Sequence, residues 1–543
     1  MGPGNAKTAS NAASFLTTNR VSRFIARTVR GVWQGSPLVQ AFAQDRLLAV
    51  TTAVLAVAAL LPMFVTPFLP LSDLPDHIGQ GALLPEILLG RGLAAYHYKI
   101  QWAPVPYWTT HLIIAILSPI VGALAAAKIM VAMAVLGLPL AVMRVLRALG
   151  RDTRLGLWAF MASWDHNTFA GWIAFMLGMS AALWAIAWVL ETQTYRKAIR
   201  IAFLACFLGL THVQAVAYFG LALGLLLLVR RPFKRVVLLH TVAGSGTLIS
   251  VMPWLVSRFS QSATQGATAW TFDFHTLREK IQDVFKYTLD DQARPADATV
   301  AGAVFLLLLL GVPLLASVPA EKEQPGELHP ATGALLVIVP LFLYLTLPMA
   351  ISGPVSHWYT YPRYATFWLV SLLFLPRARF GGWRALWLAP GVLGAIIYSL
   401  VIAGQFADYA QRSRPFLQII GHVRPNSSYL PLELEDDDPA MVLAPFNQIH
   451  AYIAAVKKGY DPHLFHYDSI PFRFRAEREL PQTAWNGARA FTIKDHGRFY
   501  DYVLVQGIAS DPVAHAKPFG GVRARLVVEA GRFRLYAMEK AAP

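Results

Sequence analysis

The sequence predicts a polytopic α-helical membrane protein with a C-terminal soluble α/β domain. Of its 543 residues, 55% are hydrophobic and 14% are charged, whereas soluble domains carry about 25% charged residues. The apolar residues are concentrated in long runs, and a run of about 20 apolar residues fits the ~30 Å hydrocarbon core of a bilayer. These runs predict about eleven transmembrane helices within residues 46–404.

The charge pattern favours lipids over nucleic acid as partners. The formal net charge is +16, which in a soluble protein would suggest nucleic acid. Here Arg and Lys cluster at the ends of apolar segments, as they do when they orient membrane proteins. We therefore expect membrane lipids and anionic lipid-linked substrates as partners, and no nucleic acid. The single cysteine, Cys206, lies in an apolar run and excludes a disulfide framework.

Residues 1–45 predict a basic N-terminal arm. The first 44 residues contain no Asp or Glu and carry five cations, Lys7, Arg20, Arg23, Arg27 and Arg30. An organelle transit peptide has a similar composition. A cytoplasmic arm before the first span is the preferred interpretation, because basic segments stay on the cytoplasmic side.

With the N-terminus placed in the cytoplasm, the apolar runs are expected to cross the membrane one after another in alternating directions. We place the spans at residues 47–69, 121–142, 155–163, 172–190, 201–210, 213–229, 236–256, 299–318, 331–351, 365–375 and 386–403. Residues 108–117 are short and are expected to lie at the surface or dip into it, within an outer loop at 70–120. A full crossing there would move the basic loop 144–154 outside. The chain is thus expected in the plasma (inner) membrane, as a multi-pass protein with its C-terminal domain extracytoplasmic.

Residues 405–543 predict an α/β domain. Residues 522–539 have the pattern of a β-hairpin around Gly531, and residues 500–507 that of a buried strand ending in a glycine turn. Residues 415–423 have helical spacing. The acidic run 433–438 is interpreted as a solvated loop because like charges repel. A calcium site is the alternative, since Ca²⁺ prefers oxygen ligands.

Three acids and a histidine are candidate catalytic residues. Asp73, Asp76 and His77 follow the first span, where two acids three residues apart could act as general base and as its orienter or a metal ligand. The alternative is a helix cap at Ser72 or Asp73. Asp165 lies between the predicted third and fourth spans, where Asp and Asn also favour a plain turn.

Candidate substrate-binding residues lie at the same predicted face. His166 adjoins Asp165, where ionisable groups are costly unless used, and His212 stands at a hairpin tip, where an interfacial role is the alternative. His357 and Tyr361 belong to an aromatic stretch that could equally anchor the chain at the membrane surface. Arg363 begins a span on the outer side, which suggests an anionic ligand because guanidinium matches phosphate bidentately.

Taken in order along the chain, these motifs resemble the GT-C superfamily of membrane glycosyltransferases, most closely its uncharacterised bacterial members. The resemblance rests on the acidic motif after the first span, the near-surface helices at 83–89 and 108–117, the second acid Asp165, and the Tyr-Pro-Arg-Tyr element at 361–364 before a soluble domain. The stretches GWIAFMLG (171–178) and YDYVLV (500–505) add to it. Here the second acid stands as Asp-His-Asn rather than Asp-x-Asp, so a divalent metal ion is implied only as an option.

The resemblance implies transfer of a sugar from a polyprenyl-phosphate donor to a hydroxyl of a glycan, lipid or protein acceptor at the outer membrane face. Asp73 would be the base, supported by Asp76, and Arg363 would bind the phosphate with His357 or His212. Two alternatives stay open. The same polar residues could line the pathway of a transporter or lipid flippase, or the chain could be an inactive assembly subunit.

Overall fold

The fold was analysed in a computed structural model. It describes residues 36–192, 194–230, 232–264, 269–289, 302–303, 307–308, 311, 328–353, 356–377, 380, 382–439, 441–465, 470–484, 487–508 and 510–540. Most of the predicted N-terminal arm and of the predicted eighth span, 299–318, lie outside these residues. The chain divides into two compact units, Met1–Val54 and Leu55–Pro543, and the sites described below belong to the second.

The described residues are predominantly helical. The α-helices are α1 (Pro37–Gln44), α2 (Arg46–Leu60), α3 (Leu74–Leu88), α4 (Gly92–His97), α5 (Trp108–Val121), α6 (Ala123–Ala148), α7 (His166–Phe169), α8 (Ile173–Leu190), α9 (Tyr195–Thr211), α10 (Val213–Leu226), α11 (Phe233–Thr264), α12 (Leu277–Leu289), α13 (Thr332–Thr346), α14 (Tyr364–Ser371), α15 (Leu388–Ser413), α16 (Pro415–His422) and α17 (Ala451–Lys457).

Five helical segments of this part of the chain are long and apolar enough to cross a membrane. They are Arg46–Phe64, Ala123–Ala148, Ile173–Leu190, Phe233–Ser260 and Ala385–Ser413. Four shorter apolar helices accompany them, at Trp108–Val121, Val213–Leu226, Thr332–Thr346 and Tyr364–Phe374. The described helices are thus compatible with a membrane protein, and fewer of them have full spanning length than the predicted eleven.

Local structure accounts for the shorter segments. The predicted third span is a 3₁₀ helix, Thr153–Ala162, of 10 residues, which is too short to cross ~30 Å of hydrocarbon. The predicted ninth span ends early because residues Ala350–Ser352 form a strand after helix α13. The predicted fifth and sixth spans are α9 and α10, of 17 and 14 residues, which meet at His212.

The strands form three small sheets. They are β1 (Tyr98–Ile100), β2 (Thr271–Asp273), β3 (Ala350–Ser352), β4 (His357–Trp358), β5 (Tyr429–Glu433), β6 (Phe472–Phe474), β7 (Tyr502–Gln506), β8 (Val522–Ala530) and β9 (Phe533–Lys540). The C-terminal sheet has the order β5-β7-β9-β8, parallel between β5 and β7 and antiparallel elsewhere. The hairpin, the buried strand and the helix predicted for this region are therefore present.

The C-terminal region is bound directly to the loop that follows the first span. Strand β1 of that loop pairs antiparallel with β6. The ammonium of Lys458 donates to the carbonyl of Ala82 at 2.8 Å, and the amide of Asn447 donates to the Ser72 hydroxyl at 3.2 Å. A Cβ atom on Gly79 of α3 would lie 3.1 Å from the carbonyl oxygen of Ala451, so glycine permits this close contact with α17.

The acidic run 433–438 is more ordered than the sequence suggested. Asp438 is 3% exposed and receives two hydrogen bonds from Arg412, at 2.7 and 3.1 Å. Glu433 lies 3.3 Å from the buried imidazole of His450. The prediction of a solvated loop is therefore wrong for these two acids, because cations from distant positions balance their charge; Asp436 and Asp437 are exposed.

Candidate functional site

The two acidic segments are joined by their backbones. The amide of Ser72 donates to the carbonyl of Phe169 at 3.0 Å, and the amide of Asp73 donates to that of Ala170 at 3.2 Å. Gly171 has φ of +79°, and a Cβ atom there would lie 2.7 Å from the amide nitrogen of Asp73. Only glycine fits this position, so the chain after Asp165 holds Asp73 in place.

Asp73 stands at the start of α3, where its side chain makes no capping hydrogen bond. The indole N–H of Trp172 donates to its carboxylate instead, and the Arg363 charge acts on it electrostatically. Burial raises the pKa of Asp73 to about 6, although the charge of Arg363 and the Trp172 hydrogen bond lower it. The residue keeps partial exposure, so the acid is accessible and titrates near neutral pH.

Arg363 is a buried cation that is held by rings and backbone. Its guanidinium carbon lies 3.9 Å from the centre of the Trp172 ring and 5.8 Å from that of Phe175. Its Nε and Nη2 donate to the carbonyls of Tyr359 and Trp358 at 3.1 and 3.4 Å. In the described part of the chain no carboxylate lies within ion-pair distance of Arg363. A buried cation without a contacting anion is costly, and an anionic ligand would offset that cost.

Three histidines surround this cation. His212 and His357 have ring centroids 5.6 Å apart, and His77 stacks on the ring of Tyr107 at 5.5 Å. The phenolic oxygen of Tyr107 lies 3.3 Å from Nε2 of His212. Burial first, and then repulsion from nearby positive charges that include Arg363, lowers the pKa of His77 to about 3. Burial and the Arg363 charge likewise lower the pKa of His357 to about 3, so both are neutral at pH 7.

Two nitrogens of these histidines have no hydrogen-bond partner in the described part of the chain. They are Nδ1 of His77 and Nε2 of His357, both shielded from solvent. We call Asp73, His77, His212, His357 and Arg363 the acid–arginine cluster. It combines an accessible acid, a buried cation and spare neutral nitrogens, which suits a ligand that carries both negative charge and hydroxyl groups.

Asp76 has a different position, although it is three residues from Asp73. Its oxygens accept hydrogen bonds from the Phe465 amide at 3.1 and 2.9 Å, and from the Gln80 side chain at 2.9 Å. The carbonyl of that glutamine lies 2.7 Å from Nε2 of His111. Asp76 is fully buried, and burial raises its pKa well above the ordinary value. It therefore fastens the C-terminal region to α3.

Asp165 caps its own turn. One carboxylate oxygen accepts from the amide and hydroxyl of Thr168 at 3.0 and 2.9 Å, and the other from the Asn167 amide at 2.7 Å. The Asn167 amide also reaches the carbonyl of Arg363 at 3.3 Å. The adjacent His166 packs edge-on against Trp172 at 5.5 Å. Asp165, through Asn167, and His166, through Trp172, thus contact residues that position the acid–arginine cluster.

Tyr361 is directed toward helix α12. Its hydroxyl donates to Asp283 at 2.5 Å, and the Lys280 ammonium lies 4.4 Å from its ring centre. Of the nine residues proposed from sequence, the structure thus brings five into the acid–arginine cluster. The other four contact different residues, and they are Asp76, Asp165, His166 and Tyr361. Within the described residues no group of three or more His, Cys, Asp or Glu side chains is arranged to hold a metal ion.

Sequence reasoning missed Trp172 and Tyr107. Trp172 was visible only as part of the GWIAFMLG stretch, and nothing local distinguishes it from an ordinary interfacial aromatic. Tyr107 has φ of +69°, a conformation that is uncommon for non-glycine residues and cannot be read from composition. The Asp76–Phe465 contact joins residues 389 positions apart, so no local signal could have shown it.

The chain was compared with protein-family models, with curated proteins and with solved structures, and none of the three comparisons gives a match.

Proposed function

We propose that this chain is a membrane glycosyltransferase that moves a sugar from a polyprenyl-phosphate donor to an acceptor hydroxyl, using Asp73 as general base and Arg363 as the phosphate-binding cation. One observation carries the proposal. A partly exposed acid with a pKa of about 6 shares an electrostatic environment with a buried arginine that lacks a contacting carboxylate. The resemblance of the motif order to the GT-C superfamily supports the same reaction.

The reaction requires two groups with opposite properties. Asp73 takes the proton of the acceptor hydroxyl while the oxygen of that hydroxyl bonds to the anomeric carbon. A base with a pKa near the working pH is suited to this proton transfer. The bond between that carbon and the phosphate oxygen breaks, and the phosphate leaves with its negative charge. Arg363, already held by Trp172, stabilises this charge without reorganising. His77 and His357 offer neutral nitrogens for hydroxyl groups.

The test is incorporation of labelled sugar from a polyprenyl-phosphate donor pool in membranes. Asp73→Asn keeps the shape and removes the base, and should lower transfer by about 10²–10⁴-fold. Asp76→Asn should lower thermal stability, because it weakens the hydrogen bonds to Phe465 and Gln80, and should reduce transfer less. Asp495→Asn at an exposed turn is the matched control.

The outcomes separate the candidate functions. If the Asp73→Asn variant transferred sugar at the wild-type rate, Asp73 would not be the general base. Loss of transfer in Asp76→Asn with unchanged stability would give that role to Asp76. If the wild-type protein transferred sugar from no polyprenyl-phosphate donor, the proposal of a glycosyltransferase would be wrong. Movement of lipid across the membrane that depends on Asp73 would then identify a transporter or flippase.

The proposal includes an orientation in the plasma membrane. The apolar segments are taken as about eleven crossings, with the N-terminus cytoplasmic and residues 405–543 extracytoplasmic, because basic loops favour the cytoplasm. With Cys206→Ser as background, cysteines at Lys197 and Arg523, both exposed, would be labelled from opposite sides. Labelling of the Arg523→Cys variant from the cytoplasmic side would contradict the proposed topology.

A further inference from the structure

A row of exposed aromatic side chains lies between helices α11 and α12. Trp270, Phe272 and Phe274 are 37%, 51% and 59% exposed, and as alternate residues of an extended segment they share one face. The rings of Trp270 and Phe272 stack with centroids 5.9 Å apart, and Phe274 follows at 6.1 Å. We call these three residues the aromatic row. Exposed apolar patches of this kind mark contact surfaces.

The aromatic row continues a surface of the candidate span in α11. Exposed apolar residues follow one another at three- and four-residue spacing on that helix, at Ile249, Met252, Val256 and Phe259, with exposures of 67%, 47%, 59% and 50%. The ring of Phe259 lies 5.9 Å from that of Trp270. The stripe that would face hydrocarbon on the span therefore runs directly into the aromatic row, and lipid is the occupant that fits both.

Helix α12 has the composition of an interfacial helix. Leu277 and Ile281, four residues apart and so on one face, are 62% and 61% exposed. Arg278, Gln282 and Lys286 are exposed beside them. A helix whose exposed apolar residues are flanked by exposed cations is suited to lie in the plane of the membrane surface, with its apolar face in the headgroup region.

This helix is fastened to the segment that precedes Arg363. The buried ammonium of Lys280 donates to three backbone carbonyls at the end of α13, those of Tyr344, Leu345 and Leu347, at 3.3, 2.9 and 2.6 Å. Asp283 accepts from the hydroxyl of Tyr361. The depth of α12 in a membrane would therefore set the depth of the neighbouring residues.

The sheet register connects the aromatic row to the acid–arginine cluster. Phe272 lies opposite Ile351, and Ile351 lies opposite His357. Residues directly opposite one another on adjacent strands project to the same side of a sheet. One cross-strand line thus begins at an exposed aromatic ring and ends at a histidine of the cluster.

We infer that the aromatic row and helix α12 are embedded in the headgroup region of the membrane leaflet nearest the acid–arginine cluster, so that the cluster lies near headgroup depth. Aromatic side chains favour that region because their apolar bodies and polar edges match it. The inference concerns depth alone and does not depend on the proposed reaction.

Fluorescence quenching by lipids of known depth tests this position. In a Cys206→Ser background, single cysteines at Phe272 and Ile281 carry a small fluorophore, and the full chain is reconstituted into phosphatidylcholine–phosphatidylglycerol vesicles. A label at Ile249 on the span is the deep control, and a label at Leu526 on β8, 44% exposed, is the control outside the membrane. Spin-labelled lipids with the nitroxide near the headgroup or deep in the acyl chain serve as quenchers.

We expect the labels at Phe272 and Ile281 to lose more fluorescence with the shallow quencher than with the deep one, and Ile249 to show the reverse. Leu526 should lose little with either. Quenching at Phe272 and Ile281 no greater than at Leu526 would overturn the inference. Blue-shifted emission without lipid quenching, together with crosslinking between labelled chains, would also overturn it and assign the row to a contact with a second copy.

Discussion

The guanidinium carbon of Arg363 lies 3.9 Å above the ring of Trp172, and the indole N–H of the same tryptophan donates to Asp73. One aromatic side chain thus touches both the cation and the acid of the acid–arginine cluster. Stacking holds the guanidinium in one plane, and the indole hydrogen bond favours the carboxylate form. The spacing between the two charged groups is therefore set by Trp172 and by the backbone around Gly171.

Transfer should depend on the ionisation of Asp73. Burial raises the pKa of Asp73 to about 6 while Arg363 lowers it, and only the carboxylate can accept a proton. The rate should therefore rise with pH through about 6 and level off above it. In Arg363→Gln, which removes the lowering charge, the midpoint should move upward. Single-turnover rates across this range, for both proteins, provide the measurement, and an unchanged midpoint would contradict the electrostatic link.

The stability of the Asp73→Asn variant gives a separate prediction. A carboxyl whose folded pKa is raised from 3.8 to about 6 destabilises the fold once it ionises, so stability is lost as pH rises between these values. The neutral amide avoids this loss. At pH 7 the variant should unfold at the same temperature as wild type or higher, with a smaller difference near pH 4. Thermal unfolding in detergent at both values tests this, and a lower unfolding temperature at neutral pH would contradict it.

Arg363→Lys should be harmful although the charge is kept. Lysine lacks the planar group that stacks on Trp172 and grips phosphate oxygens in pairs. We expect transfer to fall by about 10²-fold, the size of effect seen when one preorganised donor is removed from a reacting site. Arg424→Lys is the matched control, because Arg424 also lies over an aromatic ring, 5.8 Å from the ring centre of Tyr502, and its side chain is 72% exposed. Equal effects of the two substitutions would argue against a specific role.

Gly171→Ala should displace Asp73. Gly171 and Gly150 both have positive φ, +79° and +68°, and alanine at either position should cost about 1–3 kcal/mol in backbone strain. Only at Gly171 would the new Cβ atom meet the backbone of Asp73, whereas at Gly150 nothing lies within 4 Å. Gly171→Ala should therefore lose transfer activity and lose more stability than strain alone would cost, and Gly150→Ala should keep the activity and lose only the stability that backbone strain costs. Comparable transfer activity in the two variants would show that the contact between Gly171 and the backbone of Asp73 does not matter for transfer.

His450 should stabilise the C-terminal region in its protonated form. Burial opposes its charge, but Asp461 at 2.6 Å and Glu433 at 3.3 Å outweigh it and raise the pKa of His450 from 6.5 to about 9. This stabilisation is complete below about pH 6.5 and is lost as pH rises through 9. His450→Gln should lower the free energy of unfolding at pH 7 by about 3–5 kcal/mol. The difference from wild type should shrink above pH 9.

The control for this prediction is His422→Gln at an exposed helix end, which should leave stability nearly unchanged. Thermal unfolding of the three proteins at neutral and alkaline pH provides the comparison. A difference between His450→Gln and wild type that does not vary with pH would show that the imidazole acts by packing alone.

Parts of this molecule could be predicted because they depend on short-range patterns. Apolar runs located most of the helices, and alternation located the hairpin of β8 and β9. Within the candidate site, the sequence could single out residue types that are unusual for their surroundings, such as an arginine at the start of an apolar helix. Arg363 was singled out for that reason, and Asp73 as one of two acids that follow the first predicted span. The structure places both in one cluster, and their roles stay a prediction.

Other parts depend on contacts that the chain makes only after folding. Asp76 looked equivalent to Asp73 in sequence, yet Phe465, from the far end of the chain, occupies its oxygens. Asp165 was read as a catalytic acid, whereas Thr168 three residues later takes up one of its oxygens in a local cap. Helix length was also overestimated where a 3₁₀ segment or a strand interrupts an apolar run, since composition alone does not distinguish these from an α-helix.

The pairing of β1 with β6 bears on how the molecule is made. The loop that carries Asp73 leaves the ribosome long before its partners Phe465 and β6. Contacts so distant in sequence form slowly, because a long loop must close before they contribute. Asp76, three residues after Asp73, therefore lacks its partner amide until the intervening segments have been synthesised. A nascent chain that stops before β6 would contain both Asp73 and Arg363 but would lack the contacts that fasten α3 and β1 to the C-terminal region.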